Sequence, residues 1–285
     1  VHMTPEQTLA AKPTELLWPN GTPGARGDTD EDRPALTVCL PPAHTRTGVG
    51  IIVMPGGGYS KLALGHEAVE VAEWLNAAGI AAFLLRYRLG PRYLYPAPLD
   101  DARRAIRLIR SRAHEWGLDP NRIGGMGFSA GAHLLSLTGV HIEKGKLLTR
   151  DPVERASSRP DFMILAYPLI VLNQPNMHRG TMKNLFGPKP ERKLLDFLST
   201  HLHVTAKTPP TFLFHITEDH TTSAMNSILF YQALYKAGVP CELHIYEQGK
   251  HGGGLYKDNP ALRTWPDHCL HWLRARGILP AETPT

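Results

Sequence analysis

Arg122-Ile-Gly-Gly-Met-Gly-Phe-Ser-Ala-Gly-Ala-His133 runs from an apolar, strand-like segment into a segment of helical period, and it contains a G-x-S-x-G motif centred on Ser129. A serine between a strand and a helix adopts a strained backbone to project its hydroxyl, and the flanking glycines leave room for the turn. The turn also places the amide of Ala130 at a helix N-terminus, where it can face developing negative charge. The stretch predicts a strand-turn-helix unit with Ser129 as a nucleophile; the alternative is a tight turn without chemistry.

Apolar runs alternate with helical segments on both sides of this turn. Seven runs have the composition of strands, at 35–40, 50–54, 80–85, 122–128, 162–167, 211–216 and 242–246. Several are apolar almost throughout, as strands covered on both faces are. Segments of helical period lie between them, and glycines suited to end helices follow at positions 79, 117 and 238. The pattern predicts an α/β fold with a mostly parallel central sheet of about eight strands and helices on both faces.

Two stretches fall outside the alternation. Residues 1–34 are rich in Pro, Gly, Thr and Asp, which predicts an N-terminal arm or an edge hairpin. Residues 171–210 lie between two predicted strands and hold only short helical pieces. A connection of that length in a compact domain is usually functional, so it is interpreted as a cap or lid. The prediction is one domain over 35–285 with a small cap insertion at about 171–210.

Composition excludes several classes of protein. Of 285 residues, 42% are hydrophobic and 20% are charged, which argues against a disordered or coiled-coil chain. No apolar run approaches the roughly 18 residues that cross a bilayer, and no charged segment followed by an apolar one opens the chain, so no membrane partner is expected. The localisation stays open: secreted or periplasmic if a signal peptide has been removed, cytoplasmic otherwise. The three cysteines lack CxxC spacing, and no His, Asp or Glu group has metal-ligand spacing, so neither a metal nor a cofactor is expected.

The net charge of +5 arises from scattered basic residues. The densest group lies within one helical pattern: Arg103, Arg104, Arg107, Arg110 and Arg112. Because no aromatic residues are interleaved with them, a solvated helix face is favoured over a nucleic-acid footprint. No nucleic-acid partner is expected, and the oligomeric state stays open.

A second candidate element is the glycine loop Pro55-Gly56-Gly57-Gly58-Tyr59, which closes a buried strand. An acyl-transfer serine needs two amides for the oxyanion, and Gly57 or Gly58 would supply the amide that Ala130 does not. The alternatives are a phosphate-binding loop and a purely structural turn. No Gly-Lys-Ser/Thr follows and the spacing is not G-x-G-x-x-G, which disfavours phosphate binding.

The serine also needs a base, and the base needs a carboxylate. In hydrolases with a G-x-S-x-G serine the order along the chain is Ser, Asp or Glu, His, with each partner on a loop after a late strand. Asp219 follows the run 211–216, and His251 follows the run 242–246 in a glycine-rich loop. Order and position favour His251 as the base. Asp219 is favoured as the acid, with its neighbour Glu218 as the alternative.

The chain resembles α/β-hydrolase-fold serine esterases, and more narrowly the bacterial branch of acetylxylan esterases and feruloyl-esterase-like enzymes often labelled "xylanase B-like". The resemblance covers roughly 48–256 and rests on six motifs: the glycine loop, Arg86 to Pro91, Asp100 with Ala102 to Ile106, Gly127 to His133, Asn226-Ser227, and His244 to Leu255. It implies Ser129 as the nucleophile, Asp219 as the acid, His251 as the base, and Gly57, Gly58 and Ala130 as oxyanion donors. Departures are Pro55 in place of the His of an HGGG motif, Thr222-Ser223 in place of Val-Pro, and Ala132 in place of a glycine.

By that resemblance the expected function is hydrolysis of short acyl esters, with deacetylation of carbohydrate through an acyl-enzyme. The alternative is a feruloyl esterase, with aromatic contacts to the substrate from Tyr59, Tyr87 or Tyr167. A serine peptidase or thioesterase on the same fold and an inactive carbohydrate-binding module also stay open. The expected partner is a small-molecule or oligosaccharide ester.

Overall fold

An eight-stranded sheet forms the centre of the computed structural model, which describes residues 3–174 and 179–282. The strands are β1 (Thr14–Leu16), β2 (Ala35–Cys39), β3 (Gly50–Met54), β4 (Ala81–Arg86), β5 (Ile123–Phe128), β6 (Met163–Ala166), β7 (Thr211–Ile216) and β8 (Cys241–Tyr246). Strands β3 to β8 all run parallel to one another. At one edge of the sheet, β2 pairs antiparallel with both β4 and β1. The predicted mostly parallel α/β sheet is confirmed.

Helices cover both faces of this sheet. They are α1 (Pro5–Ala10), α2 (Glu70–Ala77), α3 (Ala97–Ser111), α4 (Ala130–Val140), α5 (Arg179–Phe186), α6 (Arg192–Leu198), α7 (Met225–Lys236) and α8 (Trp265–Ala275). Side chains alternate along β3, so Ile51 and Val53 join the core with α2 and α8, while Ile52 and Met54 join the core with α3, α4 and α7. In the described ranges, no helix is both long and apolar enough to cross a membrane.

The strand order β1-β2-β4-β3-β5-β6-β7-β8 explains where a site can form. The chain lies on one side of β3 when it enters β4 and on the other side when it enters β5. Ligands of open α/β sheets bind beyond the carboxyl ends of strands at such a switch point. Met54, the last residue of β3, pairs with Gly127 near the end of β5, so the glycine loop and the serine turn emerge side by side.

The stretches outside the alternation have structure of their own. Within the N-terminal 34 residues, α1 precedes β1, and β1 pairs with β2 at the edge of the sheet. A connection of 18 residues, 17–34, separates these two strands, so they do not form a tight hairpin. Within 171–210, the described residues form helices α5 and α6; residues 175–178 are outside the described part.

The arginine-rich face of helix α3 is not exposed to solvent, so the prediction of a solvated helix face was wrong. Arg104 and Arg107 are buried, and both pair with Glu154 on a connection about 50 residues further along the chain. The remaining basic residues on this side pair with carboxylates too, Arg110 with Asp161 among them. Apart from Glu115, which lies three residues from Arg112, the partners are distant in sequence, which is why charge pattern alone suggested exposure.

Candidate active site

Ser129 lies between the end of β5 and the start of α4, with φ of 52° and ψ of −117°. This left-handed conformation is unfavourable for a residue with a Cβ, and surrounding contacts maintain it. The amide of Ser129 donates to Ala166 O, and its carbonyl accepts from His133 N and Leu169 N. A Cβ on Gly131 would lie 2.0 Å from Met54 O, so only glycine allows α4 to approach β3 this closely.

The structure brings Ser129, His251 and Asp219 together in one hydrogen-bonded line. His251 Nε2 lies 2.8 Å from Ser129 Oγ, and His251 Nδ1 lies 2.5 Å from Asp219 Oδ2. Because the carboxylate accepts from Nδ1–H, Nε2 is left to accept the proton of the serine hydroxyl. Ser129 and His251 are 122 residues apart along the chain. They meet because β5, β7 and β8 are parallel and all end at the same edge of the sheet.

The carboxylate of Asp219 is held from several sides. Its Oδ1 accepts from the amides of Thr221 and Thr222, and His215 Nε2 lies 3.5 Å from Oδ2. Burial alone would raise the pKa of Asp219, but the nearby His215 and the hydrogen bonds from His251 and the amide of Thr222 outweigh it and hold the pKa below its usual range. An ionised carboxylate therefore faces the imidazole across the working range of pH.

Glu218, the alternative acid, points elsewhere. Its side chain is exposed, and its Oε2 accepts from the amide of Gly249 at 3.3 Å. Asp219, by contrast, is only 4% exposed and contacts the imidazole directly. Between these two neighbours, the geometry favours Asp219 as the orienting acid.

The glycine loop provides unoccupied amides next to the serine. Gly56 N donates to Glu67 Oε2 at 2.7 Å and is therefore not available to a ligand. Among the described residues, no acceptor engages the amides of Gly57, Gly58 or Ala130. Gly57 has φ of 138°, and a Cβ there would lie 2.1 Å from Lys61 O, so the loop requires glycine. The three predicted oxyanion donors thus lie at the serine with their N–H groups free.

A cavity of about 480 Å³ lies over Ser129 and His251. Its described lining is mostly small or polar: Gly57, Gly58, Ser60, Lys61, Ala63, His66, Glu67, Leu169, Gly180, Thr181, Asn184, Thr221, Thr222 and Gly252. Gly180, Thr181 and Asn184 belong to α5, so the inserted segment forms one wall. Asn184 Nδ2 also donates to Gly58 O at 3.0 Å, which attaches α5 to the glycine loop.

The structure does not place the three tyrosines predicted to contact substrate in this cavity. Tyr59, Tyr87 and Tyr167 are buried, and the hydroxyl group of each is hydrogen-bonded within the protein. The hydroxyl of Tyr59 bonds to His133 Nδ1, that of Tyr87 to Pro55 O, and that of Tyr167 to Glu67 Oε1. A buried hydroxyl needs such a partner, and an apolar core favours the ring. The correction is that these rings support the loops around the site instead of forming its surface.

Sequence reasoning missed two polar residues beneath the site. His215, on β7, accepts from or donates to Ser227 Oγ at 2.7 Å and lies beside Asp219; the strand's apolar pattern gave no signal for it. Glu67 is 3% exposed and hydrogen-bonded on both oxygens. Glu67 lies one turn before Val71 and Leu75 on the same buried side of the helix. A carboxylate at a position where the helical period expects an apolar residue is the sequence signal that could have revealed Glu67.

No group of three or more His, Cys, Asp or Glu side chains within residues 3–174 and 179–282 is arranged to hold a metal ion. The polar groups around Ser129 are instead a hydroxyl, an imidazole, a carboxylate and free amides. This set supports nucleophilic attack, proton transfer and stabilisation of an oxyanion.

Known proteins that are similar to this chain include esterases, which use this kind of chemistry. The BD-FAE family matches residues 36–234. An acetylxylan esterase of Xylanibacter ruminicola is 36% identical over 79% of this chain, and endo-1,4-beta-xylanase B of Butyrivibrio fibrisolvens is 33% identical over 71% of it. The chain spans 45% and 32% of the lengths of these relatives.

A solved structure extends the similarity over nearly the whole chain. The acetyl ester-xyloside bifunctional hydrolase from Caldicellulosiruptor lactoaceticus is 42% identical with a TM-score of 0.87, and the match covers 94% of this chain and 97% of that one. The family match, the sheet topology and this neighbour together show that the chain belongs to the BD-FAE family and has the α/β-hydrolase fold.

Proposed function

We propose that this chain is a serine carboxylic-ester hydrolase that removes acetyl groups from carbohydrate. The observation that carries the chemistry is the hydrogen-bonded line from Ser129 Oγ through His251 to Asp219, with free amides beside it. The substrate class rests on the relatives, which are an acetylxylan esterase and an acetyl ester-xyloside hydrolase.

The proposed reaction has two halves. Ser129 Oγ attacks the ester carbonyl carbon while His251 Nε2 takes the hydroxyl proton, and the amides of Ala130 and Gly57 or Gly58 stabilise the oxyanion. The carbon–oxygen bond to the alcohol then breaks, and His251 returns the proton to the departing sugar hydroxyl. Water attacks the acyl-enzyme by the same route and releases acetate. Asp219 keeps the Nδ1 proton in place and stabilises the imidazolium.

The lining of the cavity supports a short acyl group and a polar alcohol. Among its described residues, Leu169 is the one large aliphatic side chain, so a long acyl chain would find little apolar surface. Lys61, Asn184, Thr221 and Thr222 offer donors and acceptors suited to sugar hydroxyls. The described lining residues include no Phe, Tyr or Trp on which a feruloyl group could stack.

The test is Ser129→Ala assayed with p-nitrophenyl acetate and with acetylated xylo-oligosaccharides. Loss of the nucleophile is expected to lower kcat by about 10³ to 10⁶-fold. Ser111→Ala, the same chemical change at the end of α3 and away from the cavity, is the matched control and should retain full activity. A Ser129→Ala variant within about threefold of the parent would refute the mechanism, because a triad member normally contributes far more.

A substrate panel tests the acyl group and the alcohol. Acetyl esters are expected to exceed butyryl and longer p-nitrophenyl esters in kcat/KM, and acetylated oligosaccharides to exceed feruloylated sugars, thioesters and amides. A preference for feruloylated sugars, or turnover of amides or thioesters at rates above those of acetyl esters, would replace the proposed substrate class.

A further inference from the structure

Glu67 is a buried carboxylate that the triad mechanism does not use. It lies on a π-helical turn, Gly65–Val69, which runs directly into α2. In this turn Val69 N donates to Leu64 O, five residues back instead of four. The wider turn changes the directions in which the side chains point, compared with a regular α-helix. The turn directs Glu67 towards the catalytic cavity, where its side chain forms part of the lining.

Both oxygens of Glu67 accept hydrogen bonds from groups that belong to the site. Gly56 N donates to Oε2 and the hydroxyl of Tyr167 donates to Oε1, each at 2.7 Å. The Tyr167 hydroxyl in turn accepts from Gly254 N at 2.9 Å. Gly56 precedes the proposed oxyanion donors, and Gly254 follows His251 by three residues. One carboxylate therefore connects the glycine loop to the loop that carries the base.

The contact pattern is that of an ionised carboxylate held without a cation. Both of its hydrogen-bond partners are donors, and among the described residues no lysine or arginine pairs with it. Burial raises the pKa of Glu67 above its ordinary value, and the bonds from Tyr167 and Gly56 act against that rise. A buried carboxylate without a cation costs folding free energy, and fold stability alone does not explain its presence.

Tyr167 transmits this arrangement to the base. Its ring centroid lies 4.9 Å from that of His251 in an edge-to-face contact, and its backbone has φ of 36°. The ring thus packs against the imidazole while the hydroxyl is fixed by Glu67. Displacement of the hydroxyl would move the surface against which His251 rests.

We propose that Glu67 is a positioning residue for ester hydrolysis: it fixes the oxyanion loop through Gly56 and the base loop through Tyr167, and its negative charge favours the imidazolium of His251. The inference rests on the proposed function. Five titratable side chains face the carboxylate from the surrounding elements: His66, Tyr87, Tyr167, His251 and Tyr256. Of these, His251 is the one that must gain and lose a proton in the cycle.

The first test is Glu67→Gln, which keeps the shape but leaves one accepting oxygen for two donors. We expect kcat for p-nitrophenyl acetate to fall about 30-fold with KM within about threefold, because transition-state alignment is lost and ground-state binding is not. The acid limb of the kcat/KM profile should move to lower pH, because the charge that favours the imidazolium is gone. The thermal midpoint should stay within about 3 °C of the parent, because removing a buried charge offsets the lost hydrogen bond.

The second test asks whether Glu67 acts through Tyr167. Tyr167→Phe removes only the hydroxyl and should lower kcat about tenfold without moving the acid limb. Because both changes break the same connection, the double variant should be no slower than Glu67→Gln alone. Glu73→Gln, the same charge change on the exposed side of α2, is the matched control and should behave as the parent does.

The outcomes separate the two proposals. If the parent protein hydrolyses no ester and Ser129 does not react with a fluorophosphonate, the proposed function fails. If the parent is active but Glu67→Gln retains its kcat and acid limb, the positioning role is refuted. Multiplicative losses in the double variant would also refute it, because they would mean that Glu67 and Tyr167 act independently.

Discussion

Two buried tyrosines, Tyr59 and Tyr167, lie beside the serine turn, and their hydroxyl groups belong to hydrogen-bond networks of different charge. On the base side, Tyr167 donates to the carboxylate of Glu67, which also holds the glycine loop. On the other side, which we name the cap side after the cap predicted at 171–210, Tyr59 donates to His133 Nδ1, and His133 Nε2 donates to Leu198 O at the end of α6. One network contains a charge beside the base, and the other is neutral from end to end.

The difference suggests separate tasks for similar residues. The base-side network lies against His251. In the proposed mechanism the imidazole of His251 changes its charge, so a fixed negative group beside it would affect the chemistry. The cap-side network joins the glycine loop, α4 and the inserted segment, none of which changes charge. It should therefore contribute to stability and to the pH dependence of stability, with little effect on turnover.

The largest expected effect lies on the base side. Asp219→Asn should lower kcat by about 10³ to 10⁴-fold, because an amide favours the wrong tautomer of His251. The measurement is steady-state hydrolysis of p-nitrophenyl acetate. Glu218→Gln is the matched control and should stay within about threefold. If Glu218→Gln showed the larger loss, the acid assigned by the geometry would be wrong.

The next effect concerns the cap side and appears in stability. Burial lowers the pKa of His133 from 6.5 to about 4. The unfolded chain therefore binds a proton that the folded chain does not, and the resulting stability, present above pH 6.5, is lost as the pH falls towards 4. Between pH 7 and pH 5 this amounts to about 2 kcal/mol of unfolding free energy.

Denaturant unfolding of the parent and of His133→Gln at both pH values checks this. Gln still offers an amide donor and a carbonyl acceptor but does not titrate. The fall in stability from pH 7 to pH 5 should be smaller by about 2 kcal/mol in the variant. Equal falls in the two proteins would show that His133 does not carry the pH dependence.

The smallest expected effect sharpens the comparison of the two tyrosines. Tyr59→Phe leaves the buried Nδ1 of His133 without a donor and should cost about 1 to 2 kcal/mol of stability. Its kcat and KM should stay within about threefold of the parent, in contrast with the tenfold loss expected for Tyr167→Phe. Thermal unfolding and steady-state kinetics of the two variants side by side provide the measurement. A tenfold or greater loss of kcat in Tyr59→Phe would remove the distinction between the sides.

The features that could be predicted from the sequence depend either on a few neighbouring residues or on the order of the strands. The G-x-S-x-G turn is specified by two glycines over five residues, and the structure shows the strain and the close approach to Met54 that require them. Parallel strands place their following loops at one edge, so the order of Ser129, a carboxylate at 218 or 219, and His251 was enough to predict that three such groups meet. The mostly parallel α/β sheet was predictable from the alternation of apolar runs and helical segments, and the α/β-hydrolase fold was implied by the resemblance in the motifs.

Other features depended on which way a side chain points once the chain is folded. Glu218 and Asp219 are adjacent carboxylates, and only the path of the loop after β7 turns one towards His251 and the other towards solvent. The tyrosines at 59, 87 and 167 were predicted at the substrate, but the partners of their hydroxyls lie 32 to 100 residues away in the chain. Glu67 and Tyr167 are themselves 100 residues apart.

The sequence by itself determined the sheet, the strained serine turn and the order of the triad, because these depend on backbone conformation and on local period. Only the tertiary structure decided which carboxylate faces the base, which amides stay free, that Arg104 and Arg107 are buried in ion pairs, and that Glu67 connects two loops. The physical reason is that a buried polar group is stable only with its partner in place. Those partners come from distant parts of the chain that the fold alone brings together.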